Sequence, residues 1–176
     1  MEIDVVDITD SKLKPTVTEL QNRGKSTVLP YAAMSNGLNK MVHDVMGAAA
    51  PGTVNVLRIW AHGTPSVVGI SSGDDPRLIR VHLTGISPGA FESPHQELEK
   101  LKPYFATGGR LELRGCQTGA GADAEKLMRQ LADLLGVEVH ASPEDQPITG
   151  LIWFGRVFVA KPGATSVITT SGIPVQ

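Results

Sequence analysis

The chain's single cysteine and one of its five histidines each follow a run that reads as a buried strand. Val54 to Ile59 leads into Trp60-Ala61-His62-Gly63, and Leu111-Glu112-Leu113 leads into Arg114-Gly115-Cys116. If both runs are parallel strands of one sheet, both tips lie at the same edge, where open α/β sheets bind ligands. A thiol and an imidazole meeting there make a nucleophile with its proton acceptor. Cysteine is also a small hydrophobe that is commonly buried. Cys116, however, lies outside its strand, between Gly115 and the polar Gln117-Thr118-Gly119, ahead of a helix whose N-terminal dipole favours thiolate. A histidine at a strand end is ordinarily just hydrogen-bonded. The neighbouring Gly63 adds chemistry, because glycine lets a substrate carbonyl approach the backbone and accept from its N–H.

The elements that must position these tips follow from periodicity and punctuation. Ile3 to Ile8 reads as a first strand, and residues 9–33 read as irregular. Leu38, Met41, Val42, Val45, Met46 and Ala49 predict a helix over 36–50, capped by Ser35 or Asn36 and stopped by Pro51-Gly52. Ser66 to Ile70 and Leu78 to Leu83 predict a hairpin across residues 72–76. Ser93-Pro94-His95-Gln96 has the form of a capping box and opens a helix to about Phe105. Arg110 to Leu113 is the strand before Cys116. Ala124, Leu127, Met128, Leu131, Leu134 and Leu135 then share one helical face, with Asp123 at its start and Gly136 at its end. Val137 to Ala141 is a strand, residues 142–150 a loop, and Trp153 to Ala160 with Thr165 to Thr170 a hairpin. This order predicts an α/β fold over residues 1–176 as one domain. Its central sheet is mostly parallel, with helices on both faces and accessory β-hairpins.

Composition narrows the class. The 41% apolar and 19% charged content is that of a globular protein, and the formal charge of −2 disfavours nucleic acid as partner. No membrane-spanning stretch is present, so no membrane partner is expected. The acidic start, Met1-Glu2-Ile3-Asp4, lacks a signal-peptide pattern. One cysteine cannot form an internal disulfide, which suits a cytoplasmic protein or one exported without a cleavable signal.

The His-Gly step and the later Gly-Cys step, each after an apolar strand, resemble the caspase-like (clan CD) cysteine peptidases. The caspase signature places its histidine a similar distance upstream of the cysteine. Residues 111–121, with the following helix and Val137 to Ser142, also look like caspase-like domains of large bacterial surface proteins. The likeness covers roughly residues 54–160. Arg114-Gly115-Cys116 stands where caspases have Gln-Ala-Cys, which leaves substrate preference more open than chemistry. The resemblance implies a cysteine endopeptidase without cofactor. Cys116 is then the nucleophile, His62 the general acid–base, and the amides of Gly63 and Cys116 the oxyanion donors. A protein or peptide is the implied substrate, and self-processing or an activating ligand is an implied mode of control. Residues 9–33 and 142–150 are places for such control. In that family the imidazole need not touch the sulfur. Arg114 could pair with an acidic substrate side chain. Glu144 and Asp145 could equally receive Arg or Lys, and all three also read as plain surface charge. Two other classes fit the chain: a non-enzymatic caspase-fold module that binds a protein partner, and a Cys–His acyl hydrolase or deamidase acting on a non-peptide bond. A retired enzyme commonly loses one member of such a pair, and both are retained here.

Remaining motifs read as structural. Gly119-Ala120-Gly121-Ala122-Asp123-Ala124 fits G-x-G-x-x-A, but it starts six residues past Leu113, and His140-Ala141-Ser142 replaces the acidic residue a dinucleotide site needs. Gly24-Lys25-Ser26-Thr27 ends like a phosphate loop, yet Glu19 occupies the first-glycine position. His43, His82, His95 and His140 lack partners at metal-ligand spacing, so no metal is expected. Trp60 and Trp153 read as core or crevice wall.

Overall fold

A computed structural model describes residues 1–32, 34, 36–64, 67–70, 85–86, 92–147 and 151–171. In chain order its elements are β1 (Glu2–Asp7), α1 (Lys14–Arg23), β2 (Thr27–Tyr31), α2 (Gly37–Ala48) and β3 (Val54–Trp60). The short strands β4 (Gly63–Thr64), β5 (Val67–Gly69) and β6 (Gly85–Ile86) follow, then α3 (Glu92–Glu99), β7 (Phe105–Leu113) and α4 (Ala122–Leu135). The chain continues through β8 (Glu138–Ala141), β9 (Arg156–Ala160) and β10 (Ile168–Ser171). Seven strands form one sheet in the order β10-β9-β8-β7-β3-β1-β2, and β4-β5-β6 form a small antiparallel sheet. From β8 to β2 every pairing is parallel, while β9 and β10 extend the edge antiparallel. The fold is therefore α/β with a mostly parallel mixed sheet.

Helix placement follows from handedness. The crossover from β1 to β2 runs toward one edge of the sheet, whereas those from β2 to β3, β3 to β7 and β7 to β8 run toward the other. Right-handed connections place helices from opposite directions on opposite faces. Accordingly Leu20 of α1 packs with Val6 and Trp60 on one face. α2, Leu98 of α3, and α4 pack with Ile3, Leu57, Ile59, Leu111 and Leu113 on the other. α4 anchors that core with seven buried residues from Ala124 to Leu135, and Gly136 ends it in the left-handed region (φ 71°).

The face beneath α1 is polar at its centre. Asp4 pairs in register with Arg58, Arg58 with Glu112, and Glu112 with His140, giving a row of charge across four strands. Arg58 reaches Glu2 at 2.7 Å, Asp4 at 3.5 Å and Glu112 at 3.3 Å. Burial pushes the Glu112 carboxyl up, but the Arg114, Arg58 and Arg110 guanidiniums more than offset it, holding Glu112 below the usual carboxylate range.

Several sequence expectations are corrected. Residues 9–33 are not irregular: they contain α1 and β2. α1 buries only Thr16 and Leu20, so it carries almost no apolar stripe, and β2 contains Pro30, which an edge strand tolerates. The third helix ends at Glu99, and Phe105 begins β7 after a 3-10 turn at Lys102–Tyr104. Ser93 lies inside that helix, whose first residue is Glu92. Asn36 is the N-cap of α2 but makes no side-chain cap bond. β9 starts at Arg156, not Trp153. The expected strand at residues 78–83, its turn at 72–76 and the cap candidate Ser35 lie outside the described residues.

Candidate active site

Four adjacent parallel strands deliver one polar residue each, just beyond their C-terminal ends. Asp10 follows β1, His62 follows β3, Cys116 follows β7 and Gln146 follows β8. Beside β1 the chain order reverses, since β2 lies on one side and β3 on the other; crevices of open α/β sheets form at such points.

The His62 and Cys116 tips interlock at the backbone. Ile59 faces Leu113 in register, and the Arg114 N–H donates to the Ile59 carbonyl at 2.8 Å, carrying the pairing past the strand ends. A Cβ on Gly63 would lie 2.5 Å from the Cys116 carbonyl oxygen, 2.5 Å from the Thr118 methyl and 3.0 Å from the Cys116 nitrogen. A Cβ on Gly115 would lie 2.9 Å from the Ala61 carbonyl oxygen and 3.0 Å from the Gly63 Cα. Only glycine at both positions permits this approach. Thr118, fully buried, locks the turn: its hydroxyl donates toward the carbonyls of Leu113 (3.1 Å) and Gly115 (3.2 Å). Gln117 adopts φ 54°, a left-handed conformation that costs a non-glycine residue about 1–2 kcal/mol. Its amide donates to the Glu144 carbonyl at 3.0 Å and its side chain to Asp145 at 3.0 Å.

Cys116 is partly exposed. Its Sγ accepts from the Gln146 N–H at 3.4 Å and lies 3.5 Å from the Gln146 carbonyl. The Gln146 amide side chain donates to Ser142 Oγ (2.8 Å) and the Phe154 carbonyl (3.1 Å) and accepts from the Phe154 N–H (3.0 Å). The main chain beside the sulfur is thereby fixed. Cys116 lies outside helix and strand, and among the described residues its amide N–H has no acceptor. α4 begins only at Ala122, beyond the Gln117 to Gly121 turn. The His62 side chain is 69% exposed and its Nε2 lies 2.6 Å from Asp10 Oδ2.

The three candidate pocket residues have distinct surroundings. Arg114 is buried, donates Nε and Nη2 to Glu112 at 2.8 and 2.5 Å, and stacks on Trp153 (3.9 Å) and Trp60 (5.1 Å). Its Nη1 is buried without a hydrogen-bond partner among the described residues. Glu144 is engaged by Arg156, through Nε at 2.8 Å and the main-chain N–H at 2.5 Å. Asp145 is exposed and accepts from Gln117.

The other glycine motifs hold no ligand chemistry. The Gly119 N–H is used by the Ser142 carbonyl at 2.8 Å and that of Ala120 by Gln117 at 2.9 Å, so neither faces a phosphate. Gly24 caps the end of α1 and Thr27 starts β2, which is the reverse of a strand–loop–helix phosphate site. Among the described residues, no three His, Cys, Asp or Glu side chains gather as a metal site.

Sequence reasoning missed Asp10, Gln146 and Thr118. A strand-end aspartate opening a turn was the one available signal for Asp10; Gln146 becomes visible only when β8 is known to adjoin β7.

A domain-of-unknown-function family (DUF4347) matches residues 16–150, most of the chain, and the protein belongs to that family. No curated protein and no solved structure matches the chain significantly. Among the described residues, no helix is long and apolar enough to cross a membrane.

Proposed function

We propose that this domain is a cysteine endopeptidase of caspase-like type, with Cys116 as nucleophile and His62 as general acid–base. The observation that carries the reading is the glycine interlock of the two tips, Gly63 against Cys116 and Gly115 against Ala61. It sets His62 and the partly exposed Cys116 on neighbouring turns at one sheet edge, beside an amide with no acceptor among the described residues.

The chemistry runs in two steps. The thiol proton passes to the imidazole as sulfur attacks the scissile carbonyl carbon, and the resulting oxyanion accepts from the amides of Cys116 and Gly63. The carbon–nitrogen bond breaks, His62 returns the proton to the departing amine, and a thioester remains. Water then attacks the thioester carbonyl, giving a proton to His62. The carbon–sulfur bond breaks, the acid leaves, and that proton restores the thiol. Losing one oxyanion donor typically costs ~10²–10³ in rate. Arg114 is buried, held by Glu112 and stacked on Trp60 and Trp153, which weighs against a pocket for an acidic side chain. Glu144 and Asp145 are already engaged, which weighs against a pocket for a basic one. The substrate is a protein or peptide.

The test is a mixture-based peptide library incubated with the wild-type domain and with Cys116→Ala, products read by mass spectrometry. Cleavage that disappears in the variant supports the endopeptidase. Intact peptides with turnover of ester or carboxamide substrates would assign an acyl hydrolase or deamidase, and no turnover with retained fold would assign a protein-binding module.

A further inference from the structure

We propose that Ile152 and Phe154 wall a substrate subsite for a bulky apolar side chain, so that the peptide is selected by hydrophobicity rather than by charge. The inference rests on the Cys116 endopeptidase reading above and names its substrate class. Among the described residues the exposed large apolar side chains are Met1, Ile152, Phe154 and Ile168, and two of these fall within one three-residue stretch. Single exposed apolar residues are ordinary on any protein, whereas clustered ones mark a contact surface. Exposure alternates along the stretch, with Leu151 at 2%, Ile152 at 50%, Trp153 at 7% and Phe154 at 62%. Leu151 packs with Val6 and Trp60, while Trp153 packs with Val157 and Val159 and against the Arg114 guanidinium. The two inward residues anchor the segment, and Ile152 and Phe154 are held outward.

One residue ties this stretch to the sulfur. The Gln146 main chain lies against Cys116 Sγ, its N–H at 3.4 Å and its carbonyl at 3.5 Å. The Gln146 carboxamide takes both main-chain groups of Phe154, donating to the carbonyl at 3.1 Å and accepting from the N–H at 3.0 Å. With its backbone satisfied there, Phe154 offers its side chain. From the sulfur through Gln146 to Phe154 is no more than about 12 Å, which an extended peptide spans in about four residues. The charges nearby offer no competing selection. Arg114 is buried against Glu112 and two tryptophans, Glu144 is held by Arg156, and Asp145 accepts from Gln117. A peptide lying along this edge therefore meets apolar surface close to the nucleophile, and those three charges are already engaged.

The test takes a sequence cut in the peptide library and places Leu, Phe, Ala, Asp or Lys in turn at each position within about four residues of the scissile bond. Cleavage is compared between the wild type and the double variant Ile152→Ser with Phe154→Ser. Expected in the wild type is one position where Leu or Phe raises kcat/KM ~10–100-fold over Ala, Asp and Lys, a preference that shrinks to within about threefold in the double variant. Iodoacetamide carries no peptide side chain, so it should alkylate Cys116 at the same rate in both proteins. Loss of a merely structural support would slow that reaction too. An apolar preference that survives the double substitution, or that collapses together with the alkylation rate, overturns the proposal. Cleavage without apolar preference, or with selection for Asp or Lys, overturns it and leaves the endopeptidase standing. A library left intact by the wild type overturns the endopeptidase reading, and the subsite with it.

Discussion

Gly63→Ala probes the interlock that joins the two tips. The added methyl would sit 2.5 Å from both the Cys116 carbonyl oxygen and the Thr118 methyl. Carbon–carbon contacts settle near 3.5–4.0 Å, so the overlap with Thr118 is about 1 Å or more. Thr118 is fully buried, and the Cys116 oxygen is backbone, so neither can swing away. Overpacking typically costs ~1–3 kcal/mol, and these rigid neighbours put this site at about 3 kcal/mol. For a chain of this size that is a fall in Tm of roughly 6–12 °C. Gly47→Ala is the control. It lies in α2 with nothing within 4 Å of its Cβ, and Ala there should stabilise by about 0.5–1 kcal/mol. Thermal unfolding followed by circular dichroism compares the two. Should Gly63→Ala melt within about 2 °C of the wild type, on the Tm scale used above, the tips do not interlock and the site geometry is wrong.

The buried charge row gives the remaining prediction. Glu112→Gln leaves the Arg58, Arg110 and Arg114 guanidiniums without their shared carboxylate and should cost ~3–5 kcal/mol, measured by urea unfolding. Glu112 titrates below its unfolded value in the native state, so its contribution is fully present above about pH 4.5 and is lost as pH falls through the lower folded value. His140 is drawn down chiefly by burial, so the unfolded chain takes its proton first as pH drops below about 6.5. Wild-type stability should therefore rise continuously from acid to neutral pH, and Glu112→Gln should shrink the limb below pH 4.5 and, by removing a carboxylate that holds the His140 pKa up, enlarge the His140 limb.

The apolar stripes were legible where a helix or strand buries a full face. Ala124 through Leu135 predicted α4 and Leu38 through Val45 predicted α2, because each turns a continuous face into the core. α1 escaped because it rests on two buried residues at the sheet's edge. The His62 and Cys116 tips were readable because both lie directly past apolar strands, and their juxtaposition needed only that β3 and β7 be neighbours. Asp10 and Gln146 needed the whole strand order. Arg114 and Glu112 look like surface charge in sequence, and only the register Arg58 to Glu112 to His140 shows them buried in one row. Local pattern thus located the two tips, and sheet order supplied their neighbours.

The most direct measurement is the rate of Cys116 alkylation by iodoacetamide, read by intact-mass spectrometry, in the wild type and in His62→Ala. A wild-type thiol that reacts fast near neutral pH and slows at least about tenfold on loss of the imidazole is the expected result. Equal and sluggish modification of both proteins would contradict a working Cys116–His62 pair.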